Sequence, residues 1–467
     1  ELYDRGWKRT NNTNNFLSFF ATFAYSFKNR YVVNANVRND ASNVFGQDIN
    51  HRIDPTYSFG LSWRASEEAF FQKHLKWITT LNFRGTFGIQ GNALTRESPE
   101  LILSQQGVQP GYNRYFSTIG QIPNPYLSWE RTRNWNFGVD LELFRMFYMN
   151  LEYYTRRSNA VITVDLPFEY GIDDMKRNGG IIYNRGIEYT LSFTPIQKRD
   201  FSLNINLNAS KNWNKGGETK IDRNTAMYLR GGSTQILKEG YPLSAFWSYS
   251  FAGLDGSNGK PMFNYVEVPD EEKSKSIDPT TYLVYSGETE PYFTGGLGFS
   301  FRYKSLSLNT SFSLLLGSKK RLPSPYSDFQ GSGSMMPDPT KNVNRDLLNR
   351  WQKPGDEVYT NIPGLPTWPI EIGWTLPNTD STESAIEMWE KSDAMVVSGS
   401  FLRCRNIGLS WQMKKEWCDK IHAKNLAINF NMDNIFVIAS KRFNGFDPEL
   451  ENSIMPRSFS LGLNIGF

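Results

Sequence analysis

The sequence predicts an all-β chain, a transmembrane antiparallel β-barrel, and three observations carry that prediction. Segments of about 9 to 11 residues alternate large apolar side chains with small or polar ones. The connections between them alternate short and long. Aromatic residues gather beside the short connections. A soluble sheet supplies the first observation but has no reason to supply the other two.

Composition fits the same picture. Of 467 residues only 39% are hydrophobic, yet 15% are aromatic, with 33 Phe, 23 Tyr and 13 Trp. Mean hydropathy is -0.51, so the chain is polar on average. A wet interior, polar loops and aromatic girdles require that combination. No stretch approaches the roughly 18 to 20 apolar residues of a membrane-spanning helix, which excludes helical topology. Net charge is only +4, with Lys and Arg scattered, so nucleic-acid binding has no footprint. Cys404 and Cys418 read as two isolated thiols rather than a disulfide framework.

The alternation begins at Phe19, Ala21, Phe23, Tyr25 and Phe27, followed by Tyr31, Val33, Ala35 and Val37. Tyr57, Phe59, Leu61 and Trp63 form the next block, then Leu81, Phe83, Phe87 and Ile89. Trp135, Phe137, Val139, Leu141 and Leu143 alternate with Asn136, Gly138, Asp140 and Glu142. Met149, Leu151 and Tyr153 make a weaker member. Further blocks start at Ile187, Phe201, Leu297, Leu306, Ile407 and Ile428. The last comprises Phe459, Leu461, Leu463, Ile465 and Phe467, alternating with Ser460, Gly462, Asn464 and Gly466. A strand repeats every two residues, so in a barrel the apolar face meets lipid and the small polar face lines the interior.

Short connections are expected at Lys28-Asn29, Ser66–Lys76, Phe144–Met146, Thr194–Asp200, Lys304-Ser305 and Lys414–Lys424. Of these only Ser66–Lys76 has helical periodicity. Long ones are expected at Asn39–Thr56, Gly91–Pro125, Ser158–Asn184, Lys211–Pro291, Gly317–Val397 and Ile438–Pro456. The short side is then periplasmic, lined by Phe27, Tyr31, Trp63, Trp77, Phe144, Phe147, Trp411, Trp417 and Phe467 among others. The first and last strands both run toward that side, so the count is odd, about 13, or about 15 if Leu243–Phe251 is half of a barrel hairpin. Bacterial barrels have even strand numbers, so strands are expected before Glu1. The chain begins at Glu1 with no Met, basic n-region or apolar h-region, which reads as a processed or truncated chain.

Several stretches resemble the C-terminal half of SusC/RagA-type TonB-dependent outer-membrane transporters. They are Tyr31–Gly46, Ser58–Phe71, Arg84–Asn92, Asn124–Asp140, Asn178–Tyr189, Glu239–Gly253, Tyr292–Lys304, Ser400–Trp411, Phe443–Glu449 and the terminal strand. They occur in the family's order over nearly the whole chain. The resemblance implies a barrel of about 22 strands, of which residues 1–467 supply the last 13 to 15 as one C-terminal barrel portion. The plug and first strands are missing from it. It also implies TonB-driven import of oligosaccharides or oligopeptides across the outer membrane of a Gram-negative bacterium. The implied partners are a SusD-like surface lipoprotein as lid, TonB acting through the missing N-terminal part, and membrane lipid. Deleting Phe467 is expected to impair assembly, because a strand ending on an aromatic resembles the barrel-insertion signal.

No enzymatic constellation is present. His51, His74 and His422 are dispersed, no nucleophile elbow or P-loop occurs, and Gly85, Gly88 and Gly91 have the wrong spacing for a dinucleotide fingerprint. No catalytic residue, metal or cofactor is expected. Arg38, Arg64, Arg84, Asp140, Glu142, Glu188 and Arg302 fall on the small-polar, lumen-facing side. They either contact plug or substrate, or pair with one another, and pairing is the reading favoured for any single residue. Arg403 and Arg405 share parity with the lipid-facing set; they meet lipopolysaccharide phosphates, or a bulge shifts the register. Trp351, Trp368, Trp374 and Trp389 lie in the longest irregular stretch. They contact ligand or lid protein, or form the loop's own core. A passive porin-like channel and a secreted β-rich carbohydrate-binding protein are the alternatives to active import.

Overall fold

The computed structural model describes residues 15–42, 53–92, 100–109, 111–166, 168–172, 174–218, 229–231, 237–264, 278–326, 340, 342–365, 372–375, 382–450 and 453–467. Among the described residues, thirteen strands pair in chain order in one antiparallel sheet. They are β1 (Phe16–Phe27), β2 (Tyr31–Ser42), β3 (Ile53–Arg64), β4 (Ile78–Asn92), β5 (Glu130–Leu143), β6 (Phe147–Asp165) and β7 (Asp174–Gln197). After them come β8 (Phe201–Gly216), β9 (Phe293–Tyr303), β10 (Leu306–Leu316), β11 (Phe401–Gln412), β12 (Asn425–Ile438) and β13 (Ser458–Gly466). The odd count expected from strand direction is the count observed. Leu243–Phe251 is not a sheet strand: Ala245–Tyr249 pairs instead with Leu283–Glu288 in a separate ladder. Among the described residues no helix is long and apolar enough to cross a membrane.

The chain divides into two compact units. The first holds β1 to β6, β7 as far as Glu188 and the end of β8 from Trp213. Register aligns Phe23 with Ala35, Ala35 with Phe59, Phe59 with Phe87, and Phe87 with Trp135. This row is outward: Phe23 is 58% exposed, Phe59 45% and Trp135 47%. Cross-strand rings touch along it, with Phe87 and Trp135 centroids 4.4 Å apart and Trp63 stacked on Phe83 at 5.6 Å. The tight turns span three residues between the paired strand ends and carry positive φ at Lys28 and Asn29 and again at Phe144 and Arg145, as primed turns require. A bulky residue rarely adopts positive φ. Phe144 is held there by stacking on Trp77 at 5.7 Å and by its N–H donating to the Trp77 carbonyl at 2.8 Å. The expected helical segment is a short turn, Ala65–Glu67, followed by the helix Ala69–His74.

Several strands run further than the alternation suggests. β6 continues to Asp165 and β7 begins at Asp174, inside the expected Ser158–Asn184 loop. The expected loop Gly91–Pro125 also contains a hairpin, Ile102–Gln109 with Arg114–Gln121.

The second unit holds the rest of the sheet and a separate loop body. In that body Trp247, Tyr249, Leu283 and Met388 form one core, and Tyr326, Leu347, Ile386, Trp389 and Met395 another. The helix Ala385–Glu390 enters this core with a capping box between Ser384 and Glu387. Both cysteines are buried free thiols.

Candidate functional site

On the polar face of the first unit, Arg84 of β4 lies opposite Gly138 of β5, which lies opposite Glu152 of β6. A Cβ at Gly138 would sit 3.1 Å from the Arg84 Nη2, so glycine gives the guanidinium room to cross β5 without shifting. Arg84 Nη2 reaches Glu152 at 2.9 Å and Asp140 at 3.1 Å. Asn136 donates to Glu152 at 3.1 Å and Asn150 to Asp140 at 2.7 Å. One residue pair further along, Thr80 Oγ1 donates to Glu142 at 2.9 Å. The side chains of Arg84, Asp140 and Glu152 are 38%, 15% and 25% exposed, whereas the aromatics on the other face are about half exposed. One cation thus serves two carboxylates, with Glu142 beside them, so the patch is acidic on balance.

The other sequence-selected charges are distributed. Arg38 Nε donates to both Asp40 oxygens, at 2.8 and 2.7 Å, and Nη2 donates to Ser18 Oγ at 3.2 Å. With Asn36, Ser58, Gln90 and Asn134 this pair lines a recess of about 650 Å³. Arg64 is exposed at the end of β3 opposite Asn82, and Glu188 is exposed on β7. Arg302, in the second unit, is exposed between Ser202 and Ser307. The structure therefore joins Arg84, Asp140 and Glu142 and leaves the rest apart. Glu152, Gly138, Asn136 and Asn150 complete the cluster but were not singled out from sequence. Their shared even parity was the available signal.

In the second unit, register shifts at Ser311/Phe312 and Cys404/Asn406 resolve the parity of Arg403 and Arg405 as a bulge. Arg403, 2% exposed, donates to both Asp447 oxygens at 2.7 Å and reaches Glu449 at 2.9 Å. Arg405 reaches Glu449 at 3.1 Å. Both arginines are thus committed to carboxylates of the β12–β13 connection. Along β13, Phe459, Leu461, Leu463, Ile465 and Phe467 are exposed, and Lys424 Nζ donates to the Phe467 carbonyl at 2.9 Å.

Trp389 is 1% exposed in the loop body, so its ring belongs to that body's own core. Trp351 is half-buried, with Nε1 donating to Glu357 at 3.2 Å and its ring against Gly259. Trp374 lies on the strand Ile372–Thr375, its side chain outside the described residues, and Trp368 lies outside them altogether. Beside the Trp389 core is a cleft of about 520 Å³ lined by Asn344, Arg345, Tyr359, Trp389, Lys441 and Phe446 among others. Nearby, Arg321 donates to the Arg230 and Trp247 carbonyls at 2.7 and 3.1 Å. Burial, reinforced by the Arg230 charge, pushes its guanidinium down to about 10. Among the described residues no group of three His, Cys, Asp or Glu could hold a metal ion.

An exposed apolar face, a half-covered charged face and aromatics beside tight turns are the arrangement of a sheet whose outer solvent is lipid. A family model described as TonB dependent receptor-like, beta-barrel, matches residues 2–435. The chain belongs to this family. It is accordingly an outer-membrane β-barrel protein. It is similar to TonB-dependent receptor P3 of Formosa agariphila, 23% identical over 98% of this chain and 46% of the relative. It is also similar to TonB-dependent receptor SusC of Bacteroides thetaiotaomicron, 25% identical over 97% of this chain and 44% of the relative. The fold matches a solved structure of the RagAB peptide transporter with TM-score 0.72, at 22% identity, over 97% of this chain and 48% of that one. The chain spans about half the length of the relatives it matches.

Proposed function

We propose that this chain contributes barrel strands to a TonB-dependent importer that carries oligosaccharides or oligopeptides across the outer membrane. The observation that carries this reading is the reversal of burial in the first unit, in a chain matched by the receptor-barrel family over residues 2–435. In the reading, residues 1–467 form the C-terminal part of one barrel domain, and the plug and first strands come from the remainder of a longer protein. The half-length match to relatives supports that division. TonB acts through the plug, and a SusD-like surface lipoprotein covers the outer loops.

Arg38, Arg64, Arg84, Asp140, Glu142, Glu188 and Arg302 face the lumen in this reading, where they keep the wall polar, some paired and some exposed. Trp351 and the strand carrying Trp374 belong to the outer loops, Trp368 being a sequence candidate for the same loops, and the Phe459–Phe467 segment serves assembly. The resemblance in fold to a peptide transporter supports an oligomeric substrate.

The test uses cells expressing the full-length protein with labelled oligosaccharide and oligopeptide pools. Uptake is expected to require TonB and to fall when the lipoprotein is removed. Uptake that persists without TonB would replace this reading with a passive channel.

A further inference from the structure

Three arginines stand on the apolar face of the first unit, and the import reading gives them no work. Arg133 of β5 lies opposite Ile89 of β4 and Arg157 of β6, and Arg131 lies opposite Gly91 and Asn159. Odd positions of β5 also carry Trp135 and Phe137, so the arginines continue the exposed aromatic stripe. All three are exposed, and with Ile89 and Asn159 they line a recess of about 130 Å³.

The electrostatic situation of Arg133 and Arg157 differs from that of the charges on the polar face. Arg84 and Arg38 each meet carboxylates there. Arg133 and Arg157, directly opposite each other, have no carboxylate partner among the described residues. Glu130, next along β5, has opposite parity and accepts from Asn92 Nδ2 and the Val161 N–H instead. Adjacent guanidinium groups repel, and a stable arrangement calls for an anion that several of them share. Phosphate suits this best, because the planar guanidinium fork binds its oxygens in pairs. The recess is well below the about 300 Å³ of the smallest usual organic-ligand pockets, so it holds a single headgroup-sized anion rather than an oligomer.

Height along the strand supplies the source. From Leu143, beside the short turn, to Arg133 is ten residues, about 33 Å of strand at about 3.3 Å each. At a tilt of about 40° this rises about 25 Å, the height of the apolar band of an outer-membrane barrel. Cations there stand at the interface on the long-loop side, where charge on a lipid-facing surface costs little. Below them, Trp135 and Tyr153 offer an apolar track for acyl chains.

We propose that Arg131, Arg133 and Arg157 form a docking site for a phosphorylated lipid headgroup of the outer leaflet. Arg403 and Arg405, the sequence candidates for such a contact, are already neutralised by Asp447 and Glu449.

The experiment measures binding of lipid A to the full-length protein purified in detergent. Phosphorylated lipid A is expected to bind at least tenfold more tightly than its dephosphorylated form. Arg133→Gln with Arg157→Gln is expected to remove that advantage, while Arg145→Gln, at the short turn, keeps it. Heat-modifiable migration checks that each variant is folded, and the comparison of two lipids on the unaltered protein decides the matter even if the double variant is not. Equal binding of both lipids, or full discrimination by the folded double variant, overturns the proposal. Displacement of the lipid by inorganic phosphate at equal concentration overturns the lipid source and leaves a free-anion site.

Discussion

In the sheet of the first unit, Phe23, Phe59 and Trp135 stand about half exposed while Asp140 and Glu152 are largely covered. In the loop body of the second unit, Trp247 and Trp389 are buried to 2% and 1% exposure, around short strands and a capped helix. The two regions use the same residue types in opposite places. The hydrophobic effect rewards removing apolar surface from water, and it does not specify what replaces the water. In the loop body the replacement is protein. In the sheet it is lipid, while the polar face keeps its charges exposed or, as at Arg84, paired with carboxylates.

The difference can be broken most strongly at Trp389. Trp389→Ala removes a fully buried ring that packs on Tyr326 and Met395 and is expected to cost about 3–5 kcal/mol. Hydrogen exchange across 382–398 in the full-length protein would show it as local loss of protection. Unchanged protection would mean that this body has no packed core.

Phe137→Arg comes next and tests the other side. Phe137 is 51% exposed, and replacing an exposed phenylalanine on a water-facing sheet would be nearly neutral. On a lipid face near mid-height it is expected to cost about 2–4 kcal/mol. Heat-modifiable migration and outer-membrane abundance read the result, and wild-type behaviour of the variant would count against lipid contact at this position.

The same contrast explains what was legible in the sequence. The sheet could be read because lipid on one face imposes a strict two-residue alternation, visible from Phe19 to Phe467. Where neither face meets lipid the signal fades, and β6 and β7 were therefore expected to stop short of their polar ends at Asp165 and Asp174. Ala245–Tyr249 is buried at every position and so has no alternation to display. The hairpin Ile102–Gln121 is exposed along almost its whole length, and two register shifts interrupt its pairing. At the charged cluster, Arg84, Asp140 and Glu142 were recognised by parity. Glu152 escapes notice because its strand reads as a weaker member, from Met149, Leu151 and Tyr153 alone, and its polar partners carry no separate signal. Arg403 was misplaced in parity by one bulged residue, which no local pattern announces.

Gly138→Ala would sharpen the account of the covered face. The new methyl would sit 3.1 Å from Arg84 Nη2 and 3.3 Å from Cζ, and the guanidinium would have to give way by a few tenths of an ångström, loosening its hold on Glu152. The expected loss is about 1–2 kcal/mol, because the group is partly solvated and the carboxylates retain Asn136 and Asn150 as donors. A double-mutant cycle with Glu152→Gln would show coupling between the two sites. Strict additivity would mean that Arg84 reaches Glu152 by another path or does not depend on it.

The smallest effect is expected at the tip of the hairpin formed by Phe251–Leu254 and Pro261–Phe263. Asp255 accepts from the Ser257 hydroxyl at 2.7 Å, the Ser257 N–H at 2.8 Å and Asn258 Nδ2 at 3.2 Å. The Ser257 hydroxyl, then the Ser257 backbone N–H, and then Asn258 and Lys260, hold its carboxyl below the usual aspartate value of 3.8. A depressed folded value means that the carboxylate stabilises the turn above about pH 4. That contribution disappears as pH falls through the folded value. Amide exchange at Ser257 and Lys260 should therefore accelerate on acidification beyond the ordinary pH dependence of exchange. Asp255→Asn should abolish that excess while leaving Trp389 protection unchanged. An effect that spread from this tip into the Trp389 core would show that the two parts of the loop body fold as one cooperative element.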